Sequence, residues 1–146
     1  QYIESQDGWK VWERLAEVSH NWNPETTFKH MYVLRRFIKP GHNQDVYNFL
    51  QRMKMVREKH NFTGIVGIFK VLSGGNTSEF VICQGFNEFG KLGEFEGTDK
   101  SMQDLYNEMF GWNAYRKDAV AYNNALEMYS RTTESMTFME ELSTKL

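Results

Sequence analysis

The chain has 146 residues, a net charge of −2 and an aromatic content of 15%, which together indicate one folded domain and exclude a disordered chain. Acidic and basic residues are mixed along the chain, so no basic block indicates a nucleic-acid partner. No apolar run approaches the length of a membrane span, and the single cysteine, Cys83, excludes an internal disulfide bond.

Residues 1–27 are predicted to form an N-terminal helical arm. Trp9, Trp12 and Leu15 share one helical stripe within a predicted helix that runs to Ser19. Pro24 then interrupts the pattern before the main domain begins. Large aromatic residues in so short a segment indicate that the arm packs against other parts of the protein, either the core or a partner subunit.

The start of the chain bears on its location in the cell. The first residue is Gln1 and not methionine, so we expect that a preceding segment was removed. The short polar start is typical of a mature exported chain. The prediction is therefore an exported protein, periplasmic or secreted, with a cytoplasmic location as the alternative.

Residues 28–146 are predicted to form one α+β domain. The predicted elements in chain order are a strand over 28–39, a helix over 43–60, a hairpin of strands over 63–72 and 78–87, two helical stretches on either side of Gly111, and a strand over 132–142. This order predicts a ferredoxin-like split β-α-β sandwich, in which helices cover one face of a four-stranded antiparallel sheet. The other face also needs a cover, and a second copy of the sheet is the expected one, which makes the protein a homodimer.

The stretch FKHMYVLRRFIKPG, residues 28–41, raises the question of a site because it mixes polar residues into a strand. Side chains alternate along a strand, so His30, Tyr32, Leu34 and Arg36 share one face. His30 and Tyr32 are placed to line a cavity between the sheet and its cover, with Arg36 towards the rim. The predicted ligand-binding residues are Tyr32, Leu34, Arg36, Phe69 and Phe86.

The helix over 43–60 is predicted to place one apolar stripe on the sheet. The members of this stripe recur at spacings of three and four, and they are Val46, Phe49, Leu50, Met53 and Val56. The charged residues of the same helix lie outside the stripe in this prediction, and they are Arg52, Lys54, Arg57 and Glu58. The glycine-rich loop over 87–97 has two alternatives: a flap over a pocket mouth, or a connection that tucks its apolar side chains against the helices.

The run Lys29-His30-Met31-Tyr32-Val33-Leu34-Arg35 resembles the first strand of the dimeric α+β barrel superfamily, in particular its stress-responsive barrel branch, which includes polyketide cyclases. The resemblance covers residues 28–142 in the order of elements, and its motif spans about seven residues. It implies a barrel of two paired sheets and a strand-one histidine that lies in the cavity. Carried over by position, it points to His30 as the catalytic residue.

The resemblance also has a departure. The cyclase of that branch uses a second histidine late in the chain, whereas this sequence has no histidine after His60. Haem-binding members of the superfamily use a histidine on a later helix as their iron ligand, which this chain also lacks. Tyr106, Tyr115 and Tyr122 are the residues that offer a hydroxyl in place of the second histidine.

Three functions therefore stay open at the level of the sequence. The first is a small-molecule-binding barrel protein, a cofactor-independent cyclase or monooxygenase in which His30 moves a proton on an apolar or aromatic ligand. The alternative is a non-catalytic binding or structural homodimer whose cavity is filled by its own side chains, and a weaker alternative is a haem-handling protein. The four histidines lack ligand spacing, so we expect neither a metal nor another cofactor, and Cys83 is predicted to lie in the core.

Overall fold

The computed structural model describes residues 10–23, 25–129 and 131–139. Within them, five strands form one antiparallel sheet in the order β1-β3-β4-β2-β5, and three helices accompany the sheet. The strands are β1 (Val11–Arg14), β2 (His30–Phe37), β3 (Ile65–Ser73), β4 (Glu79–Phe86) and β5 (Thr132–Thr137). The helices are α1 (Asn43–Lys59), α2 (Met102–Phe110) and α3 (Ala114–Asn124). The predicted α+β class is confirmed, with five strands in the place of four.

The helix predicted in the N-terminal arm is wrong over its described part, because Val11–Arg14 form strand β1 at the edge of the sheet beside β3. The chain then makes a single turn, in which the Ser19 hydroxyl donates a hydrogen bond of 2.8 Å to the Leu15 carbonyl. Leu15 and Val18 are buried in the core through this turn. One turn repeats apolar residues at helical spacing, which explains the misleading pattern, while the open edge of β3 offers backbone partners to a strand.

Strand β2 lies inside the sheet, between β4 and β5. Strand β5 begins at Thr132 as predicted and ends at Thr137, so the predicted strand is too long by at least two residues. The rest of that predicted strand, residues 140–142, lies outside the described residues, as do Trp9 and Pro24.

The three helices lie on one side of the sheet, which we call the helix side. Its core joins α1 to alternate residues of β3 and β4, and the buried residues of this core are Leu15, Val18, Ile38, Val46, Leu50, Val66, Ile68, Phe80, Ala125 and Leu126. A second cluster joins the three helices to one another around Phe49 and Tyr106. Among the described residues, no helix is long and apolar enough to cross a membrane.

Local sequence explains where α2 begins and ends. The Ser101 hydroxyl accepts a hydrogen bond from the Asp104 backbone amide at 3.2 Å, and the Asp104 carboxylate accepts one from the Ser101 amide at 3.1 Å. This reciprocal pair satisfies two amides that the first helical turn leaves free. At the other end, Gly111 has a φ of 102°, a backbone conformation that favours glycine and ends the helix.

Candidate functional site

His30 is the first residue of β2, and its ring lies among aromatic side chains on the helix side. Its exposed fraction is only 7%, and the ring stacks on Phe86, which faces it across the β2–β4 ladder, at a centroid distance of 5.3 Å. Tyr32 contacts the same Phe86 ring at 4.7 Å. These contacts place the histidine in an apolar, aromatic environment, as an enclosed site requires.

The two ring nitrogens of His30 have different surroundings. Nδ1 lies 2.9 Å from the Thr137 hydroxyl of the neighbouring strand β5, which fixes the orientation of the ring. Nε2 has no hydrogen-bond partner within residues 10–23, 25–129 and 131–139. An imidazole held at one nitrogen and free at the other is equipped to exchange a proton with a bound molecule.

Phe89 covers His30 from the loop that follows β4. The two rings are 4.1 Å apart at their centroids, although the Phe89 residue is itself 56% exposed. Phe95, later in the same loop, packs against Phe62 at 4.9 Å. Within this loop, Phe89 lies over the histidine ring and Phe95 packs against the rest of the fold. The flap over a pocket mouth stays a prediction.

Four of the five predicted ligand-binding residues share the side of the sheet that carries His30. Tyr32, Leu34 and Arg36 stand opposite Gln84, Ile82 and Phe80 in the β2–β4 ladder, and Ile82 and Phe80 belong to the helix-side core. Phe86 continues the same alternation along β4. The sequence therefore grouped these four correctly, and the sheet brings Tyr32 and Phe86 into direct contact with each other.

Phe69 is the exception, because it lies on the opposite face, which we call the helix-free face. It stands opposite Val81 and packs in a separate cluster around Val33, Val81 and Cys83. The Trp22 ring meets it edge-on at 5.4 Å. Alternation along a strand shows which residues share a face, but it does not show how two strands are aligned, so the sequence does not place Phe69 relative to β2.

Further along β2, Arg36 approaches the helix layer near Tyr122 of α3. Arg36 Nη1 donates hydrogen bonds to two backbone carbonyls, those of Arg35 at 2.7 Å and Thr132 at 2.9 Å. Burial raises the pKa of Tyr122 to about 12, although the positive charges of Arg36 and Arg131 act in the opposite direction. The hydroxyl of Tyr122 therefore stays protonated at neutral pH and is a hydrogen-bond donor.

The other two tyrosines considered as proton donors have different roles. The Tyr106 hydroxyl donates a hydrogen bond of 2.6 Å to Asp118, which also accepts one from Arg52 at 2.7 Å. Burial, followed by this contact with the carboxylate, raises the pKa of Tyr106. Tyr106 is therefore committed to a structural network between α1, α2 and α3. Tyr115 packs against Phe49 at 5.8 Å.

Arg57 is buried, which contradicts its predicted position outside the apolar stripe of α1. Its exposed fraction is 8%, and it lies two helical turns after Leu50, on the side of α1 that faces the core. Nε and Nη1 are both buried without a hydrogen-bond partner among the described residues. In the sequence, Arg57 follows Leu50 by seven residues, a spacing that places both side chains on one face of the helix. The charge of Arg57 hides this signal, because charged residues are expected outside the core.

The cost of burying Arg57 is not offset by its described neighbours. Removing an ion from water costs several kcal/mol, whereas its cation–π contact with Phe62, at 6.0 Å, contributes only about 0.5–2 kcal/mol. Burial lowers the pKa of Arg57 to about 10, so the side chain is still charged at neutral pH. His60, three residues later, has a buried Nε2 atom that also lacks a partner among the described residues.

Two open clefts lie at the end of the sheet where His30 and Phe86 stand. One has a volume of about 340 Å³ and extends from Phe86 to the loop residues 87, 88 and 91–94. The other has a volume of about 750 Å³ and is lined by Thr63 and residues 93–100, including Phe95. Neither cleft is lined by His30 or by Phe89. Among the described residues, no group of three His, Cys, Asp or Glu side chains forms a potential metal site.

Comparisons with protein-family models, with curated protein sequences and with solved structures found no match. The candidate function therefore depends on the geometry of the site itself.

Proposed function

We propose that the protein binds an apolar or aromatic small molecule on the helix side of β2, and that His30 exchanges a proton with this ligand without a cofactor. The observation that carries the proposal is the state of the His30 ring. It is buried between Phe86 and Phe89, oriented through Nδ1 by Thr137, and free at Nε2 among the described residues. Cyclisation and oxygenation are the two reaction types proposed for this histidine.

The chemistry of His30 in the proposal follows from its hydrogen bond. If Nδ1 donates its proton to the Thr137 hydroxyl, Nε2 carries a lone pair and acts as a base. If the hydroxyl donates instead, Nε2 carries the proton and donates a hydrogen bond to the ligand. In both tautomers Nε2 is the atom that meets the ligand. Tyr32, next to the histidine on the same face, supplies a further aromatic wall and a hydroxyl.

The second candidate function is a non-catalytic homodimer whose cavity is filled by its own side chains. The observation in its favour is the cover of Phe89 over His30 at 4.1 Å, since this ring occupies the position that a ligand would take. The two candidates differ in whether Phe89 moves aside for a ligand, which a binding experiment measures directly.

The proposal also includes the finer architecture, a ferredoxin-like domain that pairs as a dimeric α+β barrel. In its support, the strands β3, β4, β2 and β5 stand in the order of a split β-α-β sandwich, with β1 added beside β3. The helix-free face carries apolar side chains that a second sheet would cover, and these are Trp12, Trp22, Met31, Val33, Phe69, Val81 and Cys83. Location outside the cytoplasm stays a prediction from the sequence.

The binding test uses the neutral aromatic probe naphthalene-2-carboxamide, titrated into the wild-type protein by calorimetry. We expect His30→Ala to weaken binding by about 10-fold or more, since it removes one stacked ring and one hydrogen bond. His42→Ala is the matched control, because the His42 side chain is about half exposed and its ring lies 3.2 Å from the Asp45 carboxylate. Equal affinities of the two variants, or no binding to the wild type, would contradict the proposed ligand site.

The pairing test is native mass spectrometry of the same proteins. The wild type is expected to be a dimer, and Phe69→Glu is expected to be a monomer because it places a charge in the proposed interface. Met128→Glu, at a residue that is 78% exposed, is expected to stay dimeric. A monomeric wild type would refute the barrel pairing without affecting the binding test.

A further inference from the structure

Arg57 is a buried cation for which the described part of the chain provides no anion. The ion pairs in this region of the helix layer use other residues: Arg52 pairs with Asp118, and Lys54 pairs with Glu58. The groups identified near Arg57 are the Phe62 ring and Tyr115, and neither is a carboxylate. A guanidinium group that is buried without a carboxylate is unstable unless something else supplies the negative charge.

The position of Arg57 places it at the same end of the sheet as His30. Its backbone carbonyl accepts a hydrogen bond from the Phe62 amide at 2.9 Å, and Phe62 lies three residues before β3 begins. Strand β3 starts at Ile65 opposite Gly85, the neighbour of Phe86, and Phe86 stacks on His30. Arg57 and His30 therefore lie at the same end of the sheet, on the side that the helices cover.

We propose that Arg57 binds the carboxylate group of an acidic aromatic ligand, with the aromatic part of that ligand lying towards His30 and Phe86. This inference rests on the proposed function and extends it by naming the ligand class. Nε and Nη1 have no described partner, and either of them can donate a charge-assisted hydrogen bond to a carboxylate oxygen. The buried Nε2 of His60 is a further donor at the same end of α1 when it carries a proton.

Phe95 separates this region from the surface. Its ring contacts Phe62 at 4.9 Å and the His60 ring at 6.5 Å, and the same residue lines the cleft of about 750 Å³. In this proposal the ligand enters from that cleft when the Phe95 ring rotates away from Phe62, whose ring the Arg57 guanidinium faces at 6.0 Å. The glycine at position 97, with a φ of 73°, gives the loop that carries Phe95 the backbone freedom for such a movement.

The first arm of the test uses two probes with the same ring system and a polar group of the same size, the anionic naphthalene-2-carboxylate and the neutral naphthalene-2-carboxamide. The wild type is expected to bind the carboxylate about 10-fold or more tightly than the amide, because charge-assisted hydrogen bonds are the stronger ones. Arg57→Met is expected to lose this preference while keeping its affinity for the amide. Arg116→Met, which removes an exposed arginine of α3, is the matched control and is expected to keep the preference.

The second arm isolates the anion site from the aromatic part. Sodium formate is expected to raise the melting temperature of the wild type and of Arg116→Met above the value in sodium chloride of the same ionic strength. Arg57→Met is expected to melt at the same temperature in both salts, and no lower than the wild type in chloride, since it removes an uncompensated charge. Arg57→Gln, which also loses the charge, replaces it in both arms if the methionine variant does not fold.

The two arms separate this inference from the proposed function. If the amide binds in a His30-dependent way but the carboxylate is not preferred, Arg57 is not a ligand anchor and the inference is refuted. If neither naphthalene probe binds and formate raises the melting temperature only when Arg57 is present, Arg57 binds an anion but the proposed aromatic ligand is refuted. If formate acts equally on Arg57→Met and the wild type, the inference is refuted whatever the naphthalene probes do.

Discussion

Glu79 allows a sharp test of the electrostatics of the sheet, because its carboxylate is buried between two cations. The residue is 2% exposed, and its oxygens contact Arg35 Nη1 at 2.5 Å and Lys10 Nζ at 2.9 Å. Glu79→Gln keeps the shape and removes the charge, so both cations lose their partner. Breaking a buried ion pair costs about 3–5 kcal/mol. The two cations are 32% and 29% exposed, which places the expected loss near the lower end, at about 3 kcal/mol.

The measurement is urea unfolding of the variant and the wild type, with the loss read from the shift of the midpoint at unchanged m-value. The matched control is Glu88→Gln, because Glu88 pairs with Lys91 at 2.9 Å while both side chains are more than half exposed. An exposed pair of this kind contributes about 0–1 kcal/mol. If Glu79→Gln and Glu88→Gln lower the free energy of unfolding by the same amount within about 0.5 kcal/mol, the argument from burial is refuted.

Two further predictions concern the helix-free face. Burial raises the pKa of the Cys83 thiol from 9.0 to about 11. Its reaction with Ellman's reagent at pH 8 is therefore expected to be about 100-fold slower in the folded protein than in the urea-unfolded protein. Equal rates in the two states would show that the thiol is accessible in the folded protein. Gly67→Ala would bring a Cβ atom within 2.5 Å of the Trp22 ring, so a loss of about 1–3 kcal/mol and a shift in tryptophan fluorescence are expected. Gly75→Ala is the control, because Gly75 has no positive φ and its nearest neighbour is the flexible side chain of Lys10, at 3.1 Å. A Gly67→Ala protein as stable as the wild type would show that Trp22 does not lie on the sheet.

The sequence predicts the parts of the fold that depend on local periodicity. Alternation along β2 places His30, Tyr32, Leu34 and Arg36 on one side, and the structure does the same. The helix α1, the hairpin of β3 and β4, and the break at Gly111 also follow from patterns that lie within a few residues of each other. Local patterns of this kind are set by backbone geometry and need no information about distant residues.

What could not be predicted depends on how separate elements meet. The side of the sheet on which Phe69 lies depends on the alignment of β3 with β4. The residue pattern within one strand does not determine its register with another strand. Arg57 is charged and was therefore assigned to the surface, although its spacing from Leu50 places it in the core. Charged residues are usually exposed, so a buried one marks a candidate functional position. Arg57 is such a residue.

The pairing of β2 with β5 has a consequence for the time at which the site is assembled during protein synthesis. Thr137, which orients the His30 ring, lies 107 residues later in the chain. At a synthesis rate of about 5–20 residues per second, the ribosome needs about 5–20 seconds to reach Thr137 after His30 has been made. During that interval one edge of β2 has no partner strand, and an unpaired edge is a place where strands of other chains can pair. The hydrogen bond that orients the histidine can form only after Thr137 has been made.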